Sequence, residues 1–134
     1  MQTITIQPEE IFQALADETR LRIIRLMVVS GEESCLCELM DSLLEPSYKL
    51  SRHLKILRQA GLLLSQKEGR WVYHRLVLEP SYLETLYATV QALPDPGGIY
   101  SADFERFRDR LCLREDGRCR VGILTNEFKT GEVR

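Results

Sequence analysis

The sequence predicts a mainly α-helical chain with one small β-hairpin, laid out as a winged helix-turn-helix. Three observations predict it. From Ser47 onward, Leu50, Leu54 and Leu57 recur at i, i+4 and i+7, the spacing of a single helical stripe. The period then changes. Residues 62–67 and 70–76 are short runs of β-branched and aromatic character, parted by Glu68-Gly69, a tight-turn signal. Finally, residues 47–76 carry Lys49, Arg52, Lys55, Arg58, Lys67, Arg70 and Arg75 against one acid, Glu68, in a chain of formal net charge −2. Positive charge gathered onto one helix and its hairpin is the footprint of a phosphate-binding surface. An unspecialised solvated helix would not share its depletion of acids with the neighbouring hairpin.

The elements follow in order. Residues 1–7 read as a loose arm, and Pro8-Glu9-Glu10 opens a helix with Ile11, Phe12 and Leu15 on its apolar face. Asp17 or Thr19 caps a second, mostly buried helix through Leu21, Ile23, Ile24, Leu26, Met27 and Val28, ended by Ser30-Gly31. Glu32-Glu33-Ser34 is an acidic entry to a third helix over 35–44, with Leu36, Leu39 and Leu43 as its stripe. Glu45-Pro46 is a short break, and Ser47 caps the next helix at once. Two helices joined by so short a turn have helix-turn-helix spacing, and the second of them reads DNA. Gly61 sits where that helix ends in a left-handed residue.

Beyond the hairpin, Glu79-Pro80-Ser81 opens a helix ending near Leu93, with Tyr82, Leu83, Leu86, Tyr87, Val90 and Leu93 on a wide apolar face. The winged core is already closed, so this face and the Pro8 helix are expected to pack against a second copy in a symmetric homodimer. Residues 1–93 then form the DNA-binding and dimerisation domain. Residues 94–134 form a linker (Pro94 to Gly98), a short Arg-rich helix over 101–115 with Phe104, Phe107 and Leu111 on one side, and a tail expected to be poorly ordered from Gly117.

A chain of 134 residues is long enough for a real core in one domain. It has no 18-residue apolar run and no basic-then-apolar leader, so a cytoplasmic protein with no membrane partner is expected. Thiols stay reduced there, which makes Cys35, Cys37, Cys112 and Cys119 metal-binding, redox-active or inert rather than structural disulfides.

Four stretches together resemble the arsenic-responsive repressor family (ArsR/SmtB type). Ala14 to Ile24 (ALADETRLRII) is similar to its opening signature, and Leu50 to Leu62 (LSRHLKILRQAGL) to its recognition helix. Glu68 to Tyr73 (EGRWVY) resembles its wing, and Cys35-Leu36-Cys37-Glu38-Leu39 its Cys-x-Cys-acid-Leu box. The resemblance spans roughly residues 9 to 92. It implies a homodimeric repressor that sits on double-stranded operator DNA and leaves when a toxic ion binds. In one respect the chain departs from the family pattern. Where such repressors carry a third cysteine three residues after the second, this chain has Met40, and residues 1–34 offer no cysteine of the kind cadmium/lead sensors borrow. By that pattern the third ligand is Cys112 or Cys119.

Trivalent arsenic and antimony are soft ions that form three-coordinate pyramids with thiolates, so As(III) or Sb(III) is the expected inducer. Residues i and i+2 of a regular helix point about 200° apart. A Cys35–Cys37 chelate is therefore expected to bend or unwind the first turn, and that distortion to become lost DNA affinity by linkage. Placement at a helix N-terminus should lower the thiol pKa values, while Glu32, Glu33 and Glu38 push the other way.

Tyr48, Lys49, Ser51 and Arg52 are the candidates for base edges, and Lys55, Arg58, Lys67 and Arg70 for phosphates. His53 is expected at backbone or phosphate and His74 on the wing surface, because neither has a partner at metal spacing. The later helix offers Glu79 and Glu84 but no histidine, which argues against a zinc site. Two other readings stand beside this one: a repressor sensing cadmium, lead or thiol oxidation, including a Cys112–Cys119 disulfide, and an arsenate reductase or phosphatase built on the Cys-x5-Arg spacing of Cys112 to Arg118. The last lacks a preceding strand, and Glu115-Asp116 would repel an oxyanion, so the spacing is coincidental.

Overall fold

The computed structural model describes residues 6–125. Six α-helices and three short strands follow in the order α1 (Pro8–Leu15), α2 (Glu18–Ser30), β1 (Ser34–Cys35), α3 (Leu36–Leu43), α4 (Ser47–Gln59), β2 (Leu63–Glu68), β3 (Trp71–Leu76), α5 (Tyr82–Ala92) and α6 (Ile99–Leu111). This is a winged helix-turn-helix: α3 and α4 are joined by Leu44-Glu45-Pro46, and β2 and β3 form the wing. Most of the expected loose arm, residues 1–5, lies outside the described residues.

Local signals set most boundaries. Asp17, not Thr19, caps α2 by accepting the Arg20 N–H at 3.1 Å. Gly61 at φ 80° closes α4, with the Leu62 N–H reaching back to the Leu57 carbonyl at 3.0 Å. Pro46 occupies the N-cap position of α4, so Ser47 is its first helical residue rather than its cap. Glu68 pairs with Trp71, which moves the wing turn one residue on, to Gly69-Arg70.

One element went unforeseen. Ser34 and Cys35 are extended and pair with His74 and Tyr73, adding a third strand in the order β1-β3-β2. The third helix therefore begins at Leu36, and Cys35 is its N-cap.

A single core holds the layers. Ile23, Ile24 and Met27 of α2 meet Leu39 and Leu43 of α3, Leu50, Leu54 and Leu57 of α4, and Leu62 and Leu63 entering the wing. Helix α5 also folds onto its own core, contrary to the expectation that it had little left to cover. Leu83, Tyr87 and Val90 are buried, and the Tyr87 hydroxyl donates to the Val77 carbonyl at 2.7 Å. Tyr82, Leu93 and, on α1, Phe12 remain exposed.

Helix α6 starts two residues earlier than expected and ends at Leu111. The Asp95 carboxylate accepts the Tyr100 and Ser101 N–H groups at 3.0 Å and so fixes its first turn. Gly117 onward is not loose as far as residue 125: Cys119 and Ile123 are buried against the domain. Residues 126–134 lie outside the described residues. No helix among the described residues is long and apolar enough to cross a membrane.

Candidate nucleic-acid interface and thiol cluster

Two sites stand out on this frame, and the wing joins them. The first is the outer face of α4 with the wing. Tyr48, Ser51, Arg52, Lys55 and Arg58 are exposed along the helix, and Lys67 and Arg70 along the hairpin, while Leu50, Leu54 and Leu57 turn inward. Arg70 lies over the Trp71 ring at 5.0 Å. Lys49 is half-buried, its ammonium 3.0 Å from the Glu45 carboxylate.

Neither histidine is where the sequence reading put it. His53 is buried, with Nδ1 3.0 Å from the Arg20 guanidinium and Asp17 nearby, so it braces α4 against α2 instead of meeting phosphate. Burial, ahead of the Arg20, Arg52 and Lys49 charges, lowers its pKa despite Asp17. His74 is buried under the wing beside the Ser65 hydroxyl at 2.8 Å, and burial followed by the Arg58 charge pushes its pKa down to about 4. A single histidine on a strand carries no signal for which face it takes, and the register with β1 decided it.

The second is a cluster of three thiols, of which Cys35 and Cys119 are buried. Cys35 Sγ lies 3.2 Å from Cys37 Sγ, and Cys37 Sγ lies 3.6 Å from Cys119 Sγ. All three fall within 4.8 Å of one another. Cys112 is exposed at the end of α6, its thiol directed to the Arg108 carbonyl, and is not part of the cluster. The Cys-x5-Arg segment has no strand before it, and Arg118 pairs with Glu33 and Glu68.

The expected unwinding of α3 is overturned here. The two sulfurs of Cys-x-Cys diverge only if both residues are helical. Cys35 has φ −91° and ψ 166°, an extended N-cap, and α3 is regular from Leu36, so the thiols converge with no helical turn disturbed. The conflict between the helix dipole and the acids resolves upward for two of the thiols. Cys35 is raised by its bond with Cys37, by burial and by the Glu38 charge, and Cys119 chiefly by burial.

What holds the third thiol in place was missed from the sequence. Glu38, fully buried, accepts the Cys35 N–H at 3.1 Å. It also takes two bonds from Arg114, at 2.7 and 2.8 Å. Arg114 follows α6 and leads the arm that carries Cys119. Further along, the Cys119 N–H donates to the Tyr73 hydroxyl at 2.8 Å, and Arg118 lies 4.5 Å over the Tyr73 ring while bonding Glu68 at the end of β2 at 2.9 Å. Arg110 bonds Asp41 at 2.8 Å and the Val121 carbonyl at 2.6 Å. One signal was available: Glu38 stands three residues after Cys35, the capping-box spacing. A cleft of about 440 Å³, lined in part by Cys37, Met40, Ser51, Leu54, Arg58 and Trp71, opens the cluster toward α4 and the wing.

Comparison with known proteins agrees with this architecture. The family described as "Bacterial regulatory protein, arsR family" matches residues 17–65, which is α2 through the start of the wing. The arsenic resistance transcriptional regulator ArsR2 of Pseudomonas putida is 47% identical over 114 residues, covering 80% of this chain and 98% of that protein. The arsenical resistance operon repressor of Escherichia coli is 49% identical over 69 residues, 52% of this chain and 58% of that protein. A second Pseudomonas putida regulator, ArsR1, is 42% identical over 82 residues, 60% and 63% respectively. The chain belongs to the arsR family of bacterial regulatory proteins, transcription regulators that bind DNA and are not enzymes.

Proposed function

We propose that the chain is a homodimeric repressor that holds operator DNA through α4 and the wing and releases it when Cys35, Cys37 and Cys119 capture As(III) or Sb(III). The observation that carries this reading is the sulfur cluster. With metal–sulfur bonds of about 2.3 Å, three thiolates on one ion sit about 3.3–3.8 Å apart. The two close contacts of the cluster, 3.2 and 3.6 Å, need little adjustment to reach that range.

Charge balance favours a trivalent metalloid over cadmium or lead. Arsenous acid brings its own hydroxides: three thiols and As(OH)3 give a neutral tris-thiolate and three waters, with no net proton released. A divalent cation on the same thiols expels protons and leaves an anionic complex. The surroundings oppose an added negative charge. Glu38 is buried beside Cys35, and Arg110 and Arg114 are each paired with a carboxylate. Thiols with raised pKa values suit an exchange that carries its protons away as water.

Release then runs through the wing. Cys35 is paired with Tyr73 in the sheet, Cys119 is tied to the Tyr73 hydroxyl, and Arg118 reaches Glu68, so drawing the three sulfurs onto one ion pulls on both wing strands. The ion prefers the state with the shifted wing, and DNA prefers the other, which is the differential affinity that release requires. In the dimer, exposed Phe12, Tyr82 and Leu93 meet their mates, and the two α4 helices enter successive major grooves about 34 Å apart.

The test is an operator titration with As(III), Sb(III) and Cd(II) on wild type and on Cys35→Ser, Cys37→Ser and Cys119→Ser. Each variant is expected to hold operator as tightly as wild type and to ignore arsenite. For wild type, the As(III) response should barely change from pH 6 to 8, whereas a Cd(II) response should strengthen with pH. Undiminished arsenite release from Cys119→Ser would remove the third sulfur from the site.

A further inference from the structure

Helix α6 lies beyond the residues matched by the family, yet a continuous line of charge ties it to the reading helix. Asp103, almost fully buried, accepts two bonds from Arg22, at 2.9 and 2.8 Å, and one from Arg106 at 3.0 Å. The same Arg22 guanidinium donates to the Leu43 carbonyl at 2.7 Å, where α3 ends, and to Glu45 Oε2 at 3.2 Å, within the turn. That same Glu45 oxygen accepts Lys49 Nζ at 3.0 Å. Lys49 is the third residue of α4, in the turn of a recognition helix that faces base edges.

We propose that Glu45 is a positioning residue for operator recognition, set by Asp103 through Arg22. It fixes the Lys49 ammonium at the entry of α4 and cancels its attraction for phosphate. An unpaired lysine at this position would bind the backbone of any sequence, a gain that salt screens and that carries no information. Held by Glu45, Lys49 gains from DNA only where a base acceptor stands in the right place. Glu45 stays because Arg22 stays, and Arg22 stays because leaving would strand a buried carboxylate. Packing of α6 accounts for the Arg22–Asp103 pair, but not for the Glu45–Lys49 pair. The latter is part-exposed and orders a long side chain for little stability.

This inference rests on DNA being read by α4 and is independent of the thiols, so the experiment uses the metal-free, full-length protein. Binding to operator and to an unrelated duplex of equal length is measured over a salt series. For Glu45→Gln, the slope of log affinity against log salt should steepen by about 0.9 per subunit as Lys49 takes a phosphate. The ratio of operator to unrelated affinity should fall about tenfold. Asp103→Asn should shift both in the same direction, and the double variant no further than Glu45→Gln alone. With Lys49→Met in place, Glu45→Gln should change neither. Unchanged slope and ratio in Glu45→Gln, or equal changes with and without Lys49, overturn the proposal. Additive effects of Glu45→Gln and Asp103→Asn overturn the part given to α6. Should Asp103→Asn fail to fold by circular dichroism, Arg22→Lys reads the same link. If Lys49→Met binds both duplexes like wild type, Lys49 touches no base and the relay falls, while the reading of DNA by the rest of α4 stands.

Discussion

The winged core and the segment from α6 to residue 125 are held together by different physics. The core is aliphatic: Leu50, Leu54, Leu57, Leu39 and Ile23 are fully buried and touch one another. The C-terminal segment contributes Phe107 and Ile123 to that core, with Phe104 and Leu111 packed against it, and adds a set of arginine–carboxylate pairs, Arg22–Asp103, Arg110–Asp41, Arg114–Glu38 and Arg118–Glu68. Burying hydrocarbon is non-directional and tolerates small displacements. A buried ion pair is worth little until one partner is removed, and then it costs heavily. The first kind of construction gives a domain that folds as one unit. The second gives an arm that is either docked in register or not docked, which suits a segment that brings Cys119 to Cys35 and Cys37.

That contrast can be broken most sharply from the core side. Leu57→Ala should cost about 4 kcal/mol and lower the stability of both regions together, read as a single shifted thermal transition with operator binding lost in step. Two separate transitions would show that the arm does not depend on the core.

Glu38→Gln should act chiefly on the arm, since the amide oxygen of Gln can still accept the Cys35 N–H. It breaks a pair whose carboxylate is fully buried, at a cost of about 3 kcal/mol, although undocking of the arm caps what the rest of the domain loses. Amide exchange should quicken at Cys119 and Val121, and arsenite response should fall at least tenfold, with operator affinity within twofold of wild type. Slow exchange at Cys119 in this variant would mean that something other than Arg114 docks the arm.

A pH scan sharpens the core side. His74 titrates near 4 in the folded chain, well below an unfolded histidine, so the unfolded state binds more protons between those values. The stabilisation is therefore complete above about pH 6.5 and is lost as pH falls toward 4, on the order of 3 kcal/mol at the limit. Urea melts at pH 7 and pH 5 should differ in this direction, and His74→Gln should flatten the difference. The smallest effect is expected from Cys112→Ser. Its thiol is exposed and outside the cluster, so stability should stay within about 0.5 kcal/mol and arsenite release should be unchanged.

The same contrast explains what was legible in the chain. Helical stripes such as Leu50-Leu54-Leu57 and the turn at Gly69 announce themselves by period and residue type, so the reading helix and wing were visible almost to the residue. Of the seven basic residues of that stretch, six are exposed as their spacing suggested and Lys49 is tethered to Glu45, while the neighbouring His53 is buried. Cys35 and Cys37 stood out by spacing, but the two-residue strand β1 did not. A pair of extended residues has no period, and the partner that makes Ser34-Cys35 a strand lies near Tyr73 and His74. The arm was invisible for a related reason. Arg110, Arg114 and Arg118 look like solvated charges in the sequence, and only their partners across the fold, Asp41, Glu38, Glu33 and Glu68, show them to be anchors.

The N-cap position of Cys35 has a consequence for how such a protein can be altered. Because Cys35 and Cys37 sit at a strand-to-helix junction and Cys119 arrives on the segment after α6, none of the three thiols lies on α4 or on the two strands of the wing. On the proposed reading, rewriting residues 112–125 is expected to alter the arsenite response while operator preference, carried by α4, is kept. On that reading, selectivity and targeting rest on separate residues and can diverge one at a time.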